Sequence, residues 1–177
     1  AGFTEIATLV YMDRAISPDL PPPPAAWSLG ALQWRPYDDE LYPLFAGILS
    51  DTYRDSLDCP RLTGLRTIDD IIAGHRAAGL FDPRHWWLVM RDDRPAGCIL
   101  LTENPLRPAL ELAYMGVHPD HRRRGLAGLL LTHALGLAQR GGFEVITLAV
   151  DAANHPARRL YASFGFHETA SRRAFVL

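Results

Sequence analysis

The chain has 177 residues, of which 48% are hydrophobic and 21% are charged, and its formal net charge is -2. This length suits one domain with a sizeable core, and the composition argues against wholesale disorder. The charge gives no reason to expect nucleic acid or an anionic membrane as a partner. Because no apolar run reaches transmembrane length and the first residues lack a signal-peptide pattern, we expect a cytoplasmic protein without a membrane partner.

The N-terminal segment is predicted to be one strand followed by an extended linker. Residues 3–12 are rich in β-branched and aromatic residues, which favour a strand. The consecutive prolines at 21–24 predict a stiff, extended conformation. We therefore divide the chain into residues 1–27, a strand with a proline-rich linker, and residues 28–177, the domain proper.

The pattern of residues 28–177 predicts an α/β (α+β) domain with a mixed, mostly antiparallel sheet and helices on both faces. Asp38, Asp39 and Thr67 are suitable N-caps for the first two helices. The stretch 145–150 is largely apolar, which favours a central strand. The expected strands cover 32–34, 86–90, 96–101, 109–117, 145–150 and 166–176, and the expected helices cover 41–49, 68–78, 124–140 and 156–164.

A short repeat relates the two ends of the chain. Residues 2–8 (GFTEIAT) align with residues 165–171 (GFHETAS), and each copy leads into an apolar strand. A match over such a short stretch can arise by chance. The alternative is that residues 1–14 are the tail of a preceding, related domain, which would make this chain the C-terminal part of a tandem protein.

Residues 115–128 lie where a strand gives way to a helix, and they have the character of a pyrophosphate-binding turn. The first N–H groups of a helix have no internal partner, and the helix dipole adds partial positive charge there. Gly125, Ala127 and Gly128 leave the backbone open to phosphate oxygens, and the arginines at 122–124 add positive charge. Neither G-x-G-x-x-G nor G-x-x-x-x-G-K-[ST] occurs, which argues against a dinucleotide fold and a kinase-type phosphate loop.

These residues resemble the GNAT superfamily of N-acetyltransferases. Its central motif, [QR]-x-x-G-x-[GA], is present as RRRGLA at 122–127, after a strand that ends in V-x-P at 117–119. A second family motif, an Asn followed by a helix ending in L-Y-x-x-x-G-F, is present as Asn154 and LYASFGF at 160–166. The resemblance covers residues 30–177 in the order of elements and is sharp over 111–166, where both motifs lie.

The resemblance implies that acetyl-CoA is the co-substrate. The pantetheine arm would lie in a gap between two splayed strands, and the turn at the start of the long helix would hold the pyrophosphate. Asn154 would contact the arm or cap the helix that follows it. The implied cofactor-binding residues are Met115, Gly116, Val117, Arg122, Arg123, Arg124, Gly125, Leu126, Ala127, Gly128 and Asn154.

The resemblance also implies direct attack of a primary amine on the thioester in a ternary complex. Tyr161 would donate a hydrogen bond or a proton to the leaving thiolate, unless it only packs against the cofactor. Glu111 lies where some family members keep a glutamate base, although a carboxylate this weak needs burial or a water relay to serve. Tyr114 could line the acceptor pocket. Further candidates lie in the loop at 51–66, namely Tyr53, Asp55, Asp58 and Arg61.

The expected partners are acetyl-CoA and an amine of a small molecule or peptide, with a second GNAT-like domain or a homodimer as open alternatives. His118, His121 and His133 form no metal-ligand pattern, and His133 is expected on a helix surface, so we expect no metal. The alternative to catalysis is a GNAT-fold module that binds acyl-CoA or a regulatory partner without turnover.

Overall fold

The computed structural model describes residues 2–17, 32–62 and 64–176. The predicted proline-rich linker and the proposed boundary at residues 27 and 28 lie outside them. The strands are Thr4–Ala15 (β1), Leu32–Pro36 (β2), Trp86–Arg91 (β3), Arg94–Glu103 (β4), Ala109–Val117 (β5), Val145–Asp151 (β6) and His167–Val176 (β7). The α-helices are Tyr42–Tyr53 (α1), Ile68–Ala77 (α2), Leu126–Arg140 (α3) and His155–Ser163 (α4).

The strands form one sheet in the order β2-β3-β4-β5-β6-β1-β7. β5 and β6 are parallel, whereas the other neighbouring strands are antiparallel. The predicted fold class, a mixed and mostly antiparallel sheet with helices on both faces, is therefore confirmed. β1 is an internal strand of this sheet, because it pairs with β6 through residues 9–15 and with β7 through residues 4–13.

Each face of the sheet buries its own core. On one face Leu130 and Leu135 of α3 pack with Ile99 of β4 and with residues of β5 and β6. On the other face Phe45 of α1 packs with Leu88 of β3 and with further residues of β4. Because both faces of β3 and β4 are covered, every residue of these two strands except Arg94 is buried or half-buried. No helix in the described part of the chain is long and apolar enough to span a membrane.

The first two helices begin where the sequence predicts. The Thr67 hydroxyl accepts a hydrogen bond from the Asp70 backbone N–H, and the Asp70 carboxylate accepts one from the Thr67 N–H, which forms a capping box at the start of α2. Asp38 caps a short 3-10 turn, Asp39–Leu41, that leads directly into α1. A side-chain cap therefore sets the start of α2 directly and precedes α1 by one 3-10 turn.

His133 on α3 was expected on the helix surface, and this prediction is wrong. Its ring stacks on Trp34 with the ring centroids 4.3 Å apart, and the edge of Trp87 lies 4.6 Å away. Burial lowers the pKa of His133 to about 4, so the imidazole is neutral at physiological pH. The residue therefore serves as an aromatic bridge between α3 and the strands β2 and β3.

Candidate active site

The parallel strands β5 and β6 separate soon after they begin. They pair only through residues 109–112 of β5 and 145–148 of β6. Ala113 forms a bulge at this point, since Leu112 and Tyr114 pair with consecutive residues of β4. Beyond the bulge β5 pairs with β4 alone and β6 pairs with β1 alone. The edge of β5 that carries Met115, Gly116 and Val117 therefore faces a gap in which backbone groups can bind an extended ligand.

The turn between β5 and α3 presents a row of free backbone donors. Arg123 and Gly125 have left-handed backbone conformations, with φ of 61° and 85°. Within the described part of the chain, the backbone N–H groups of residues 123–127 have no hydrogen-bond partner. They lie at the positive end of the α3 dipole, and such a helix start favours phosphate or another anion.

The three arginines of this turn have different surroundings. The Arg122 guanidinium donates hydrogen bonds to the carbonyl oxygens of Thr52 at 3.0 Å and Arg54 at 2.8 Å, while its Nε donates to Val117 O at 3.2 Å. It therefore ties the C-terminal end of α1, where unpaired carbonyls gather, to the turn. The side chains of Arg123 and Arg124 are exposed. Of the three arginines in this turn, only Arg123 and Arg124 thus have side chains that are free to meet an incoming anion.

Gly116 marks a close approach between β5 and α1. A Cβ atom at this position would lie 2.6 Å from Thr52 Oγ1 and 2.7 Å from Thr52 Cβ. The Thr52 hydroxyl is itself bonded to Leu49 O and to the Tyr114 hydroxyl, at 3.0 and 2.8 Å. Glycine is therefore required here by a helix side chain within the protein, independently of any cofactor.

Tyr161 of α4 is buried, with 8% of its surface exposed, and packs beside Phe166 with the ring centroids 5.8 Å apart. Its hydroxyl has no hydrogen-bond partner among the described residues. Burial, and secondarily the negative charge of Asp58, raise the pKa of Tyr161 well above its ordinary value. The phenol is therefore protonated at neutral pH and available as a donor.

Glu111 is half-buried on β5, between Leu110 and Leu112, both of which belong to the core on the α3 side. Because strand side chains alternate, the Glu111 side chain lies on the face covered by α1 and α2. Burial raises the pKa of Glu111, which makes it a stronger base than an exposed glutamate. Its environment is thus compatible with the expected role.

Asp58 and Asp151 form a reciprocal pair that sequence reasoning did not identify. Asp58 Oδ1 accepts a hydrogen bond from the Asp151 backbone N–H at 2.9 Å, and Asp151 Oδ2 accepts one from the Cys59 N–H at 3.2 Å. These bonds fasten the loop after α1 to the end of β6. The only signal for Asp151 was that it is the first charged residue after an apolar strand. Asp58 was named as a candidate from its position in the loop alone.

Asp58 interacts electrostatically with phenols from three elements. Its charge contributes to the raised pKa of Tyr53 on α1, of Tyr114 on β5 and of Tyr161 on α4, although burial is the main cause in each case. Burial, together with the charge of Asp151, also raises the pKa of Asp58 itself. One partly buried carboxyl, bonded to the end of β6, therefore acts electrostatically on three neutral hydroxyl groups.

Aromatic rings from α1, α2 and β5 form a wall beside this carboxyl. Tyr53 stacks on Tyr114 with centroids 5.1 Å apart, and the ring of His75 lies 5.3 Å from Tyr114. The Tyr53 hydroxyl is 3.2 Å from His75 Nε2. Burial lowers the pKa of His75 to about 4, so the wall is uncharged at neutral pH.

Two further expected residues have structural partners. Asn154 caps α4, because its side-chain oxygen accepts a hydrogen bond from the Ala157 N–H at 3.3 Å. Of the two roles considered for Asn154, the cap is therefore present. Arg61 donates from its guanidinium to the backbone oxygen of Glu5 on β1, at 2.6 Å. Arg61 thus joins the loop after α1 to β1.

Within the described residues, one group of potential metal ligands lies together, formed by Asp82, His85 and Glu103. His85 Nε2 is 3.0 Å from Glu103 Oε1, and the Asp82 carboxylate is paired with Arg84. These contacts account for the grouping as an internal network. It includes none of the residues of the β5–β6 gap.

Residues 48–166 match the Acetyltransferase (GNAT) family. This match covers well over half of the chain, so the chain belongs to the GNAT family. The resemblance inferred from the two sequence motifs is thereby confirmed. The fold described above is consistent with this membership.

Individual relatives cover parts of the chain. It is 35% identical to mycothiol acetyltransferase of Thermomonospora curvata over 103 residues, which are 58% of this chain and 34% of that protein. It is 38% identical to the [ribosomal protein bS18]-alanine N-acetyltransferase of Salmonella typhimurium over 84 residues, 48% of this chain and 55% of that one. The chain thus spans about a third to a half of these relatives' length.

Among solved structures, a GCN5-related N-acetyltransferase from Sphaerobacter thermophilus superposes with a TM-score of 0.71 at 21% sequence identity. The match covers 98% of this chain but 52% of the Sphaerobacter chain. At this level of identity the likeness supports the fold alone. It includes nearly the whole chain, and therefore both terminal strands.

The contact at Gly116 gives a stability prediction. Gly116→Ala should lower the free energy of unfolding by about 1–3 kcal/mol, because Thr52 Cβ is fixed to the α1 backbone and cannot turn away. Gly47→Ala is the matched control, since Gly47 is an exposed α1 residue with no atom near the added methyl group. It should stabilise the protein by about 0.5–1 kcal/mol. Urea unfolding of both variants measures the difference, and an unchanged midpoint for Gly116→Ala would contradict the contact.

Proposed function

We propose that this chain transfers the acetyl group of acetyl-CoA to a primary amine of a small molecule or peptide, by direct attack in a ternary complex. The free N–H groups of residues 123–127 carry this proposal, because they adjoin the gap between β5 and β6 and offer a site for a pyrophosphate. One relative is named for mycothiol and the other for an alanine of a ribosomal protein. Both acceptor classes therefore stay within the proposal.

The cofactor would be held mostly by backbone groups. The pantetheine arm would lie along Met115, Gly116 and Val117, whose free edge can bond it as a neighbouring strand would. The start of α3 would hold the pyrophosphate, with a dipole contribution of about 0.3–1 kcal/mol per charge at an exposed site. Asn154 uses its oxygen as a helix cap, which leaves its two amide hydrogens for the arm.

Transfer begins when the amine nitrogen attacks the thioester carbonyl carbon. The tetrahedral intermediate then collapses, the C–S bond breaks and the thiolate leaves. An ordinary phenol has a pKa of about 10 and an ordinary thiol a pKa of about 8.5. Burial raises the pKa of the Tyr161 phenol further. Complete proton transfer from Tyr161 is therefore uphill. A hydrogen bond from Tyr161 that strengthens as charge grows on sulfur fits this order of acidities.

The acceptor must also lose a proton, since alkylammonium groups have a pKa near 10.4. An ordinary carboxylate is about 6 units weaker as a base, equivalent to about 8 kcal/mol, so direct deprotonation in a wet site would fail. We assign Asp58 to anchoring the arriving ammonium, because this carboxyl is bonded to the end of β6, beyond the point where β5 and β6 separate. Glu111, whose pKa is raised by burial, is assigned to accept the proton through water after the amine enters the pocket.

The first prediction concerns Tyr161. Tyr161→Phe keeps the packed ring and removes the donor, so we expect turnover to fall about 10- to 100-fold while the affinity for acetyl-CoA stays within twofold. Thiol release from acetyl-CoA with a panel of amines measures the first quantity, and calorimetric titration measures the second. Unchanged turnover on a confirmed acceptor would remove Tyr161 from the chemistry. Tight acetyl-CoA binding by the unmodified chain with no release for any amine would favour a non-catalytic module.

The second prediction tests the anion-binding turn. Gly125→Glu should weaken acetyl-CoA binding about tenfold or more, because a carboxylate would repel the phosphates. Gly142→Glu is the matched control, since Gly142 also has a positive φ (72° against 85°) but follows α3 instead of preceding it. Both variants thus carry the same charge and a similar backbone cost. Equal affinities in calorimetry would refute the assignment of the turn.

The third prediction separates the acceptor from the cofactor. Asp58→Asn can still accept the Asp151 N–H bond but loses the negative charge, so the KM for a cationic amine should rise about tenfold with little change in acetyl-CoA affinity. Asp55→Asn, an exposed change in the same loop, should leave both quantities unaltered. A rise in KM for both variants, or for neither, would exclude Asp58 as the ammonium anchor.

A further inference from the structure

The two copies of the terminal repeat lie side by side in the sheet. The first copy begins β1 and the second begins β7, and the two strands are antiparallel neighbours. Each residue of the first copy corresponds to the residue 163 positions later, as Gly2 does to Gly165. The paired residues run from 4 to 13 in β1 and from 167 to 176 in β7, which are the same ten positions in the two copies.

The register between these strands is symmetric. Leu9 pairs with Arg172, which is its own counterpart in the second copy. On one side of this pair Thr8 faces Arg173, and on the other Val10 faces Ser171, the counterpart of Thr8. Exchanging the two strands therefore reproduces the pairing. The two strands are therefore related by a local two-fold axis that passes through the Leu9 and Arg172 pair.

The irregularities of the two strands obey the same symmetry. In β1 the register shifts between Glu5 and Ala7, which leaves Ile6 as the bulged residue. In β7 the corresponding shift leaves Thr169 unpaired between Glu168 and Ala170. Thr169 is the counterpart of Ile6. Bulges are specific features of a strand, so their coincidence is unlike what a chance match of a few residues would give.

Burial, in contrast, is asymmetric. Phe166 and Met12 are 2% and 3% exposed because the core of this domain covers them. Their counterparts, Phe3 and Phe175, are 71% and 46% exposed. Equivalent apolar positions are thus buried when they face this domain and exposed when they face the other side of the axis. A second domain, related to this one by the same two-fold axis, would cover Phe3 and Phe175.

We infer that β7 pairs along its outer edge with a strand of a second GNAT-fold domain, which precedes β1 in the same polypeptide and ends in β1. β1 pairs with β7 on one side and with β6 on the other, whereas β7 is the last strand in the sheet order. Because the axis exchanges β1 and β7, it places the other domain's counterpart of β6 beside β7, as β6 lies beside β1. The two domains then share one continuous sheet, in which each contributes its last strand to the other.

The preceding domain is the occupant that fits these observations. A domain whose last strand is β1 must be joined to β1 at its N-terminal end. A second copy of this chain would bring a β1 and β7 pair of its own and would leave the internal axis unexplained. The extent of the Sphaerobacter match is consistent with the inference, since nearly half of that chain lies outside it.

The test compares residues 1–177 with the polypeptide translated from its natural start codon to Leu177. Amide hydrogen exchange over residues 167–176 is followed by mass spectrometry in both. We expect the outward amides of β7 to exchange quickly in the shorter chain and to slow at least tenfold in the longer one. A reading frame without a second such domain upstream of Ala1, or unchanged exchange, overturns the inference. Concentration-dependent protection in residues 1–177 would assign the edge to a second copy and also overturn it.

Side-chain variants provide a second readout that does not depend on activity. Phe3→Ala and Phe175→Ala should each lower the Tm of the longer polypeptide by several degrees and leave residues 1–177 within about one degree. Leu106→Ala is the matched control, because Leu106 is 92% exposed and lies far from the repeat in sequence. It should change neither protein. Equal shifts in the two lengths for the phenylalanine variants would overturn the inference even if the exchange data agreed with it.

Discussion

The structure depends on one constraint, namely that β5 and β6 are parallel neighbours that pair for only four residues each. A parallel pair must be joined by a crossover, and here α3 supplies it. The start of α3 therefore lies at the end of β5 where the pairing stops. Helix dipole, free N–H groups and an unpaired strand edge consequently meet at one place. The family's use of a thioester cofactor with a long arm and a pyrophosphate suits this geometry.

Much of the fold followed from local patterns. Thr67 caps α2 as expected, and the helix predicted over 124–140 matches α3 to within two residues at its start. The position of β1 could not be predicted in this way. Alternation shows which residues of a strand are buried, but it does not identify the neighbouring strands, because pairing partners are distant in sequence. The prediction that His133 lies on the helix surface was wrong for a similar reason, since its aromatic neighbours belong to β2 and β3.

In the candidate site as well, features formed by contiguous residues were predictable, and features formed by residues distant in sequence were not. The turn at 122–128 was predictable because its glycines, small residues and arginines are contiguous. The acidic pair was not predictable, since Asp58 and Asp151 are 93 positions apart. They are joined by hydrogen bonds from backbone N–H groups to their carboxylates. The role of the Arg122 side chain also escaped prediction. A run of arginines indicates positive charge for a phosphate, and only the tertiary structure assigns one of them to the carbonyl groups that end α1.

The bridge from Arg122 has a consequence for how the two substrates influence each other. Its guanidinium holds the end of α1 and the start of the loop after α1, and its backbone belongs to the turn before α3. Any anion that stiffens this turn also restrains the loop that carries Asp58. Linkage then requires that an acceptor seated against the loop improve the affinity for the cofactor by the same factor. In the proposed reaction, this one side chain couples the binding of the two substrates in both directions.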